Sequence, residues 1–397
     1  MTADVLGIVG LGVALLSLLI VVSVTRHLGH RDPQAVPRVW RNLLFIKAPE
    51  TTHSEDVPPM FTRNQRIAFV ANPTKAGVAN LREQAMRACA IRYLPEPMWF
   101  TTTLDDPGIG QARRAVELGA DLVVACGGDG TVRAVATGVA HSQASIGIIP
   151  LGTGNIFARN LGIPFQDPQA ALRLAIDGED LPVDIGWLDV HHDGADAGVL
   201  DTHLFLVIAG AGLDAEMVAG ADDRLKARLG WFAYFFAAVA HLGGKRIAAR
   251  ITVDDADPVE SQMRTVMMGN VGKLPGGLQL MPDASVVDGH LDVASLDARG
   301  GLVGWTELLG TVFAQNAGIR DPWWARMMKA SRIDHVRAKN VKIEFHLPQK
   351  CQVDGEVLGR ATSITARVDP GALTVRVPQA TLDDSEPRPA LPEEPSI

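Results

Sequence analysis

Cysteine is scarce: Cys89, Cys126 and Cys351 are the three in 397 residues, and none stands in a CxxC or other paired spacing. An odd number so far apart offers no disulfide framework, so a reducing compartment fits and each reads as a small buried hydrophobe. Positive charge is also short. Lys and Arg number 37 against 45 Asp and Glu, a formal net charge of −8, which argues against a nucleic-acid binder. No Gly-Lys-Ser/Thr follows a glycine loop at Walker A spacing, which argues against a P-loop NTPase. No internal repeat stands out.

What is present is an ordinary globular balance, 47% hydrophobic and 21% charged, in a chain long enough for two domains. From Val5 to Val24 no residue is charged, and those residues would reach about 30 Å as a helix, enough for one bilayer crossing. Only Asp4 precedes the span, whereas a signal peptide needs a basic start and a small-residue cleavage site. Arg26, Arg31, Arg38, Arg41 and Lys47 follow it, so the positive-inside rule predicts a single-pass membrane anchor with a cytoplasmic body. The expected divisions are an anchor over 1–26, a juxtamembrane linker over 27–62, a first domain over 63–182, a β-rich domain over 183–378 whose last strands return to the first, and a disordered acidic tail over 379–397.

Short apolar runs at Ile67–Ala71, Met98–Thr101, Leu122–Cys126 and Ile146–Ile149 alternate with helical patterns around 81–89, 109–118 and 131–140. That alternation predicts a Rossmann-like parallel sheet. Beyond Pro182 the runs Val183–Val190, His203–Ala209, Ile247–Val253, Thr265–Gly269, Leu291–Ser295 and Val341–Phe345 predict a mainly antiparallel β-sandwich, with helical insertions at Arg224–Leu242 and Gly304–Ala317. The expected fold class is therefore α/β plus β, preceded by one transmembrane helix.

Two glycine-rich turns, Gly127-Gly128-Asp129-Gly130-Thr131 and Gly152-Thr153-Gly154-Asn155, each follow an apolar run. Glycine lets backbone N–H groups approach phosphate closely, and a helix opening just after adds its positive end. A carboxylate inside such a turn would be repelled by polyphosphate unless a metal lay between, so Asp129 suggests Mg²⁺. Gly210-Ala211-Gly212-Leu213-Asp214-Ala215 also fits a dinucleotide fingerprint, but the window about 20 residues on holds Trp231, Phe232 and Tyr234 instead of the required acid.

Asn72-Pro73-Thr74-Lys75-Ala76-Gly77, the two glycine turns with Pro150-Leu151, Gly276–Ala284, Asp288-Gly289-His290-Leu291-Asp292-Val293 and Gln352-Val353-Asp354-Gly355-Glu356 form an ordered set. This set resembles the diacylglycerol, sphingosine and ceramide kinase superfamily, its bacterial diacylglycerol kinase-like members in particular, from about Arg63 to Pro378. The resemblance implies ATP-dependent phosphoryl transfer to a lipid hydroxyl. Asn72, Pro73, Thr74, Lys75, Gly127, Gly128, Gly130, Thr131, Gly152, Thr153, Gly154 and Asn155 would meet the nucleotide, with Asp129 organising Mg²⁺. By resemblance Asp354 is the proton acceptor supported by Glu356, with Asp129 its rival in that role, and Asp288 is a candidate ligand of a structural metal.

Ile156 departs from the pattern, since many bacterial relatives carry Asp there. Basic residues flanking Trp231–Phe236, and Trp323 and Trp324 with Met327 and Met328, fit either lipid contact or core. Partners expected are a lipid substrate and the bilayer, and the oligomeric state, a homodimer included, is open. Against diacylglycerol phosphorylation stand a sphingoid-base or other lipid-alcohol kinase, a soluble acceptor as in NAD kinases, and a membrane-tethered nucleotide sensor without chemistry.

Overall fold

The computed structural model describes residues 65–194, 198, 200–212, 246–272, 281, 284–298 and 331–385. β1 (Ile67–Ala71) and β3 (Leu122–Gly127) are buried along their whole length. Uninterrupted apolar strands of this kind belong in a parallel sheet covered on both faces. With β2 (Met98–Thr101) and β4 (Ser145–Pro150) they pair in parallel in the order β4-β3-β1-β2. α1 (Val78–Ile91) and α5 (Pro168–Asp177) cover one face through Leu81, Ala85, Cys89, Leu172 and Ile176. α2 (Ile109–Glu117) and α3 (Asp129–Val139) cover the other through Ala112, Ala115, Val132, Val135 and Val139. Asp167 starts α5 by accepting from the Gln169 and Ala170 amides, with Pro168 in the first turn.

The rest is antiparallel: β5 (Glu179–His192), β6 (Leu200–Phe205), β7 (Ile208–Ala211), β8 (Ile247–Val253), β9 (Val259–Met263), β10 (Thr265–Gly269), β11 (Leu291–Ala298), β12 (Ser331–Ala338), β13 (Asn340–Val353) and β14 (Glu356–Val377). They run on from β4 without a break, because the end of β14 lies parallel to it at Val375 and Ile146. Among the described residues the resulting sheet has 14 strands, ordered β12-β11-β10-β7-β13-β14-β4-β3-β1-β2, with β5, β6, β8 and β9 branching off. The boundary expected at 182/183 falls inside β5.

Gly186 on β5 sits opposite Phe205 on β6, and a Cβ there would lie 2.1 Å from the ring. Gly186→Ala is expected to lower stability by about 1–3 kcal/mol, measured as a fall in thermal midpoint.

Two expectations need correction. His203–Ala209 is two strands, β6 and β7, with Leu206 and Val207 between them, because the amides of these two residues donate to the Asp354 carboxylate. The tail is ordered at its start. α6 (Gln379–Ser385) packs Leu382 against the core, and Thr381 Oγ1 donates to the Leu161 carbonyl at 3.0 Å.

All three cysteines are buried and free, and burial pushes the Cys351 thiol up to about 11. The Val5–Val24 span, Arg224–Leu242, Gly304–Ala317 and the Trp323 region lie outside the described residues. Among the described residues no helix is long and apolar enough to cross a membrane.

Candidate active site

Only Gly128 separates the end of β3 from the start of α3, and no side chain caps that helix. Its first-turn N–H groups therefore have no intrahelical acceptor and face the space at the C-terminal end of the sheet. Gly130 opens onto this space: a Cβ there would meet nothing within 4 Å. The other glycines answer to packing. A Cβ on Gly152 would stand 2.7 Å from Gly128 Cα, one on Gly127 would stand 2.5 Å from Thr131, and one on Gly154 would stand 2.8 Å from an Asp129 oxygen. The two turns thus touch backbone to backbone, joined by the Leu151 amide donating to the Gly127 carbonyl at 2.7 Å. Gly152→Ala must push them apart; a rise of about tenfold or more in the Michaelis constant for ATP is the expected reading.

Asp129 links the turns. Its Oδ2 accepts the Asn155 amide at 2.8 Å and its Oδ1 accepts the Ile156 amide at 2.7 Å, at the start of α4 (Ile156–Asn160). Asn155 holds a left-handed φ of 48°. Its side chain closes the turn on itself, accepting from the Gly152 amide at 3.0 Å and donating to the Gly152 carbonyl at 2.7 Å. Ile156 takes part through its backbone while its side chain enters the core. Replacing an Asp there removes a carboxylate but leaves this bond intact.

After β1, Asn72 Oδ1 accepts the Thr74 amide at 3.0 Å and the Thr74 hydroxyl at 2.7 Å, and the Asn72 amide donates to Cys126 at 3.0 Å. Pro73 and Thr74 are exposed, as is Thr153 across the sheet end. This tight turn brings the Lys75 side chain over Gly128, its Cε 3.9 Å from where a Cβ would stand.

On the other wall, Val353 pairs with Glu356, making Asp354-Gly355 a two-residue hairpin turn with φ of 45° and 91°. Asp354 Oδ1 accepts the Val207 and Ile208 amides, each at 2.9 Å, and Oδ2 accepts the Leu206 amide at 2.8 Å. Asp354 is partly exposed as a residue, but its carboxyl is packed deeply enough for burial to dominate. Burial raises its pKa above the usual carboxylate range, opposed by the three amides and by the Arg133 guanidinium. Asp129 and Asp354 line one cleft with Val132, Pro150, Asn155 and Val207.

Glu356 pairs with Arg133 of α3. Asp288 does not line this cleft; it accepts the His290 amide at 3.0 Å and pairs with Arg337. Among the described residues no three His, Cys, Asp or Glu side chains gather as a metal cage. Of the expected block Gly276–Ala284, only Met281 and Ala284 are described.

Sequence reasoning missed Arg133, although it lies one helical turn beyond Asp129 on the same face. It also missed Asn270, fully buried, whose Nδ2 donates to the carbonyls of Asp184 at 2.9 Å and Leu206 at 3.2 Å, steadying the segment that holds Asp354. The Leu206–Ile208 amides carried no signal, since every residue but proline has one.

Residues 66–188 match the diacylglycerol kinase catalytic domain family, and residues 207–377 match the YegS C-terminal NAD kinase beta sandwich-like domain family. The chain is 33% identical over 313 residues to the probable lipid kinase YegS-like of Pseudomonas aeruginosa (strain UCBPP-PA14), covering 77% of this chain and 89% of the relative. It is 28% identical over 301 residues to the diacylglycerol kinase of Bacillus subtilis (strain 168), covering 74% and 91%. In fold it is similar to a diacylglycerol kinase crystal structure from Bacillus anthracis str. Sterne, with a TM-score of 0.59 at 22% identity over 80% of this chain and 98% of that one.

Proposed function

Because the chain belongs to the YegS-like and diacylglycerol kinase family of lipid kinases, we propose that it transfers the γ-phosphoryl group of ATP to a membrane lipid hydroxyl, converting diacylglycerol to phosphatidic acid. As a member of that family it is a phosphotransferase. The observation that carries the reading is the cleft with Asp129 on the glycine-turn wall and Asp354 on the other.

The residues fit a polyphosphate. Uncapped amides at the start of α3 and the open face of Gly130 supply donors without a reorganising side chain, and the Lys75 ammonium adds positive charge. Mg²⁺ also fits, because it ordinarily takes one or two carboxylates and completes its shell with phosphate oxygens and water. Asp129 is the carboxylate offered. When bound, Mg²⁺ would supply neutralisation of the charge developing on the phosphoryl oxygens.

Asp354 accepts the proton of the lipid hydroxyl. Its Oδ1 already takes two amides and its Oδ2 one, so Oδ2 has the lone pair to spare. As the hydroxyl oxygen bonds to the γ-phosphorus, the bond to the β–γ bridging oxygen breaks and the proton passes to Oδ2. The raised pKa makes the carboxylate a stronger base than an exposed one.

Membrane anchoring by Val5–Val24, with the body on the cytoplasmic side, belongs to the same proposal. It favours a lipid acceptor, since tethering raises the effective concentration of enzyme only for substrates in the bilayer. The full chain in vesicles, given γ-labelled ATP and Mg²⁺, is expected to label diacylglycerol. Label on sphingosine alone would move the acceptor to a sphingoid base, and no labelled lipid from any alcohol would favour the nucleotide sensor.

A further inference from the structure

Arg133 is mostly enclosed, its side chain 16% exposed, and an arginine stays charged under all ordinary conditions. A cation removed from water needs compensating partners. Glu356 supplies the direct one, accepting from Arg133 Nη2, and Asp354 adds its field. Both acids belong to the hairpin between β13 and β14, while Arg133 belongs to α3, whose first turn offers amides to phosphate. His203 of β6 also faces this cation. Burial depresses its pKa, with Arg133 adding to the effect and Asp201 opposing it, so a neutral imidazole does not compete for the acids.

We propose that Arg133 is a positioning residue for phosphoryl transfer, tying helix α3 to the Asp354–Glu356 hairpin so that the proton acceptor and the phosphate-binding amides keep one geometry. The proposal rests on the reading of Asp354 as the base. Transfer is sensitive to such alignment, since a displacement of about 1 Å can cost about a hundredfold in rate. The charged and titratable groups around Asp354 are Arg133 from α3, Glu356 from its own hairpin, Asp129 across the cleft and His203 beyond Arg133.

Steady-state kinetics of the full chain in diacylglycerol vesicles tests this. Arg133→Gln is expected to lower kcat about 30- to 100-fold with the Michaelis constant for ATP changed less than about threefold. Its acid limb in the pH profile of kcat should move up by about 1 pH unit, because the cation that favoured the Asp354 carboxylate is gone. Arg133→Lys, keeping charge but not the planar fork, should restore the limb and part of kcat. Combining Arg133→Gln with Glu356→Gln should lower kcat by less than the product of the two separate effects.

A wild-type kcat and acid limb in Arg133→Gln would overturn the proposal, even with a lower thermal midpoint. So would a raised Michaelis constant for ATP at unchanged kcat, which would make Arg133 a phosphate ligand instead. Should Arg133→Gln not fold, Glu356→Gln removes the tie from its exposed end, and an unchanged kcat there overturns the proposal. Wild-type protein that labels no lipid would sink the kinase reading itself, a separate outcome from any of these.

Discussion

Asp354→Asn is expected to reduce kcat by about 10²- to 10⁴-fold, the usual contribution of a positioned proton acceptor, with little change in the Michaelis constant for ATP. The amide oxygen can still accept from Val207 and Ile208, but the amide nitrogen would confront the Leu206 N–H, donor against donor. One buried donor left without an acceptor costs about 1–3 kcal/mol, so the thermal midpoint must be measured beside the rate. The pH profile separates the two effects. As the proposed base, Asp354 works only when ionised, so wild-type kcat is expected to fall as pH drops through the pKa that burial has raised. That limb should vanish in the folded variant. Near-normal turnover by folded Asp354→Asn would transfer the role to Asp129.

Asp129→Asn ranks next, with an expected loss of about a hundredfold or more in kcat/KM for ATP. Two causes act together. An amide offers one acceptor where the carboxylate offers two, so either the Asn155 or the Ile156 amide loses its partner and the glycine turns loosen. The negative charge that would hold Mg²⁺ is lost as well. Titrating Mg²⁺ distinguishes them: a higher metal requirement marks the charge, whereas a lower thermal midpoint with unchanged metal dependence would leave Asp129 as a structural link alone. Unlike Asp354→Asn, this variant should keep the acid limb of kcat.

The parallel sheet was legible because its strands are apolar on both faces and its helices repeat apolar residues at helical spacing, both local properties of the chain. The first glycine turn was legible for the same reason, lying where β3 meets α3. Gly127, Gly152 and Gly154 also answer to packing, since Thr131, Gly128 and Asp129 stand against them; the contacts of Gly152 and Gly154 join one turn to the other and carry no mark in the sequence. The order at Gln379–Ser385 escaped a reading based on acidic composition because one leucine and one threonine suffice to dock that helix.

Sequence alone determined which residue types stand at which strand ends, and through them the proposed nucleotide wall, the candidate base and the family resemblance. It placed Asp129 inside a glycine-rich turn and Asp354 in the last of the ordered motifs. Tertiary structure decided that the two carboxylates share one cleft, with Arg133 of α3 paired to Glu356 beside the hairpin. It also decided what the carboxylates do there: Asp129 joins two backbones, and Asp354 is held by three amides from a break between strands. Backbone N–H groups are common to nearly all residues and carry no mark in a sequence. Only folding buries that carboxyl, which raises its pKa, and brings to it the 206–208 amides and Arg133, which oppose the rise and fix its orientation.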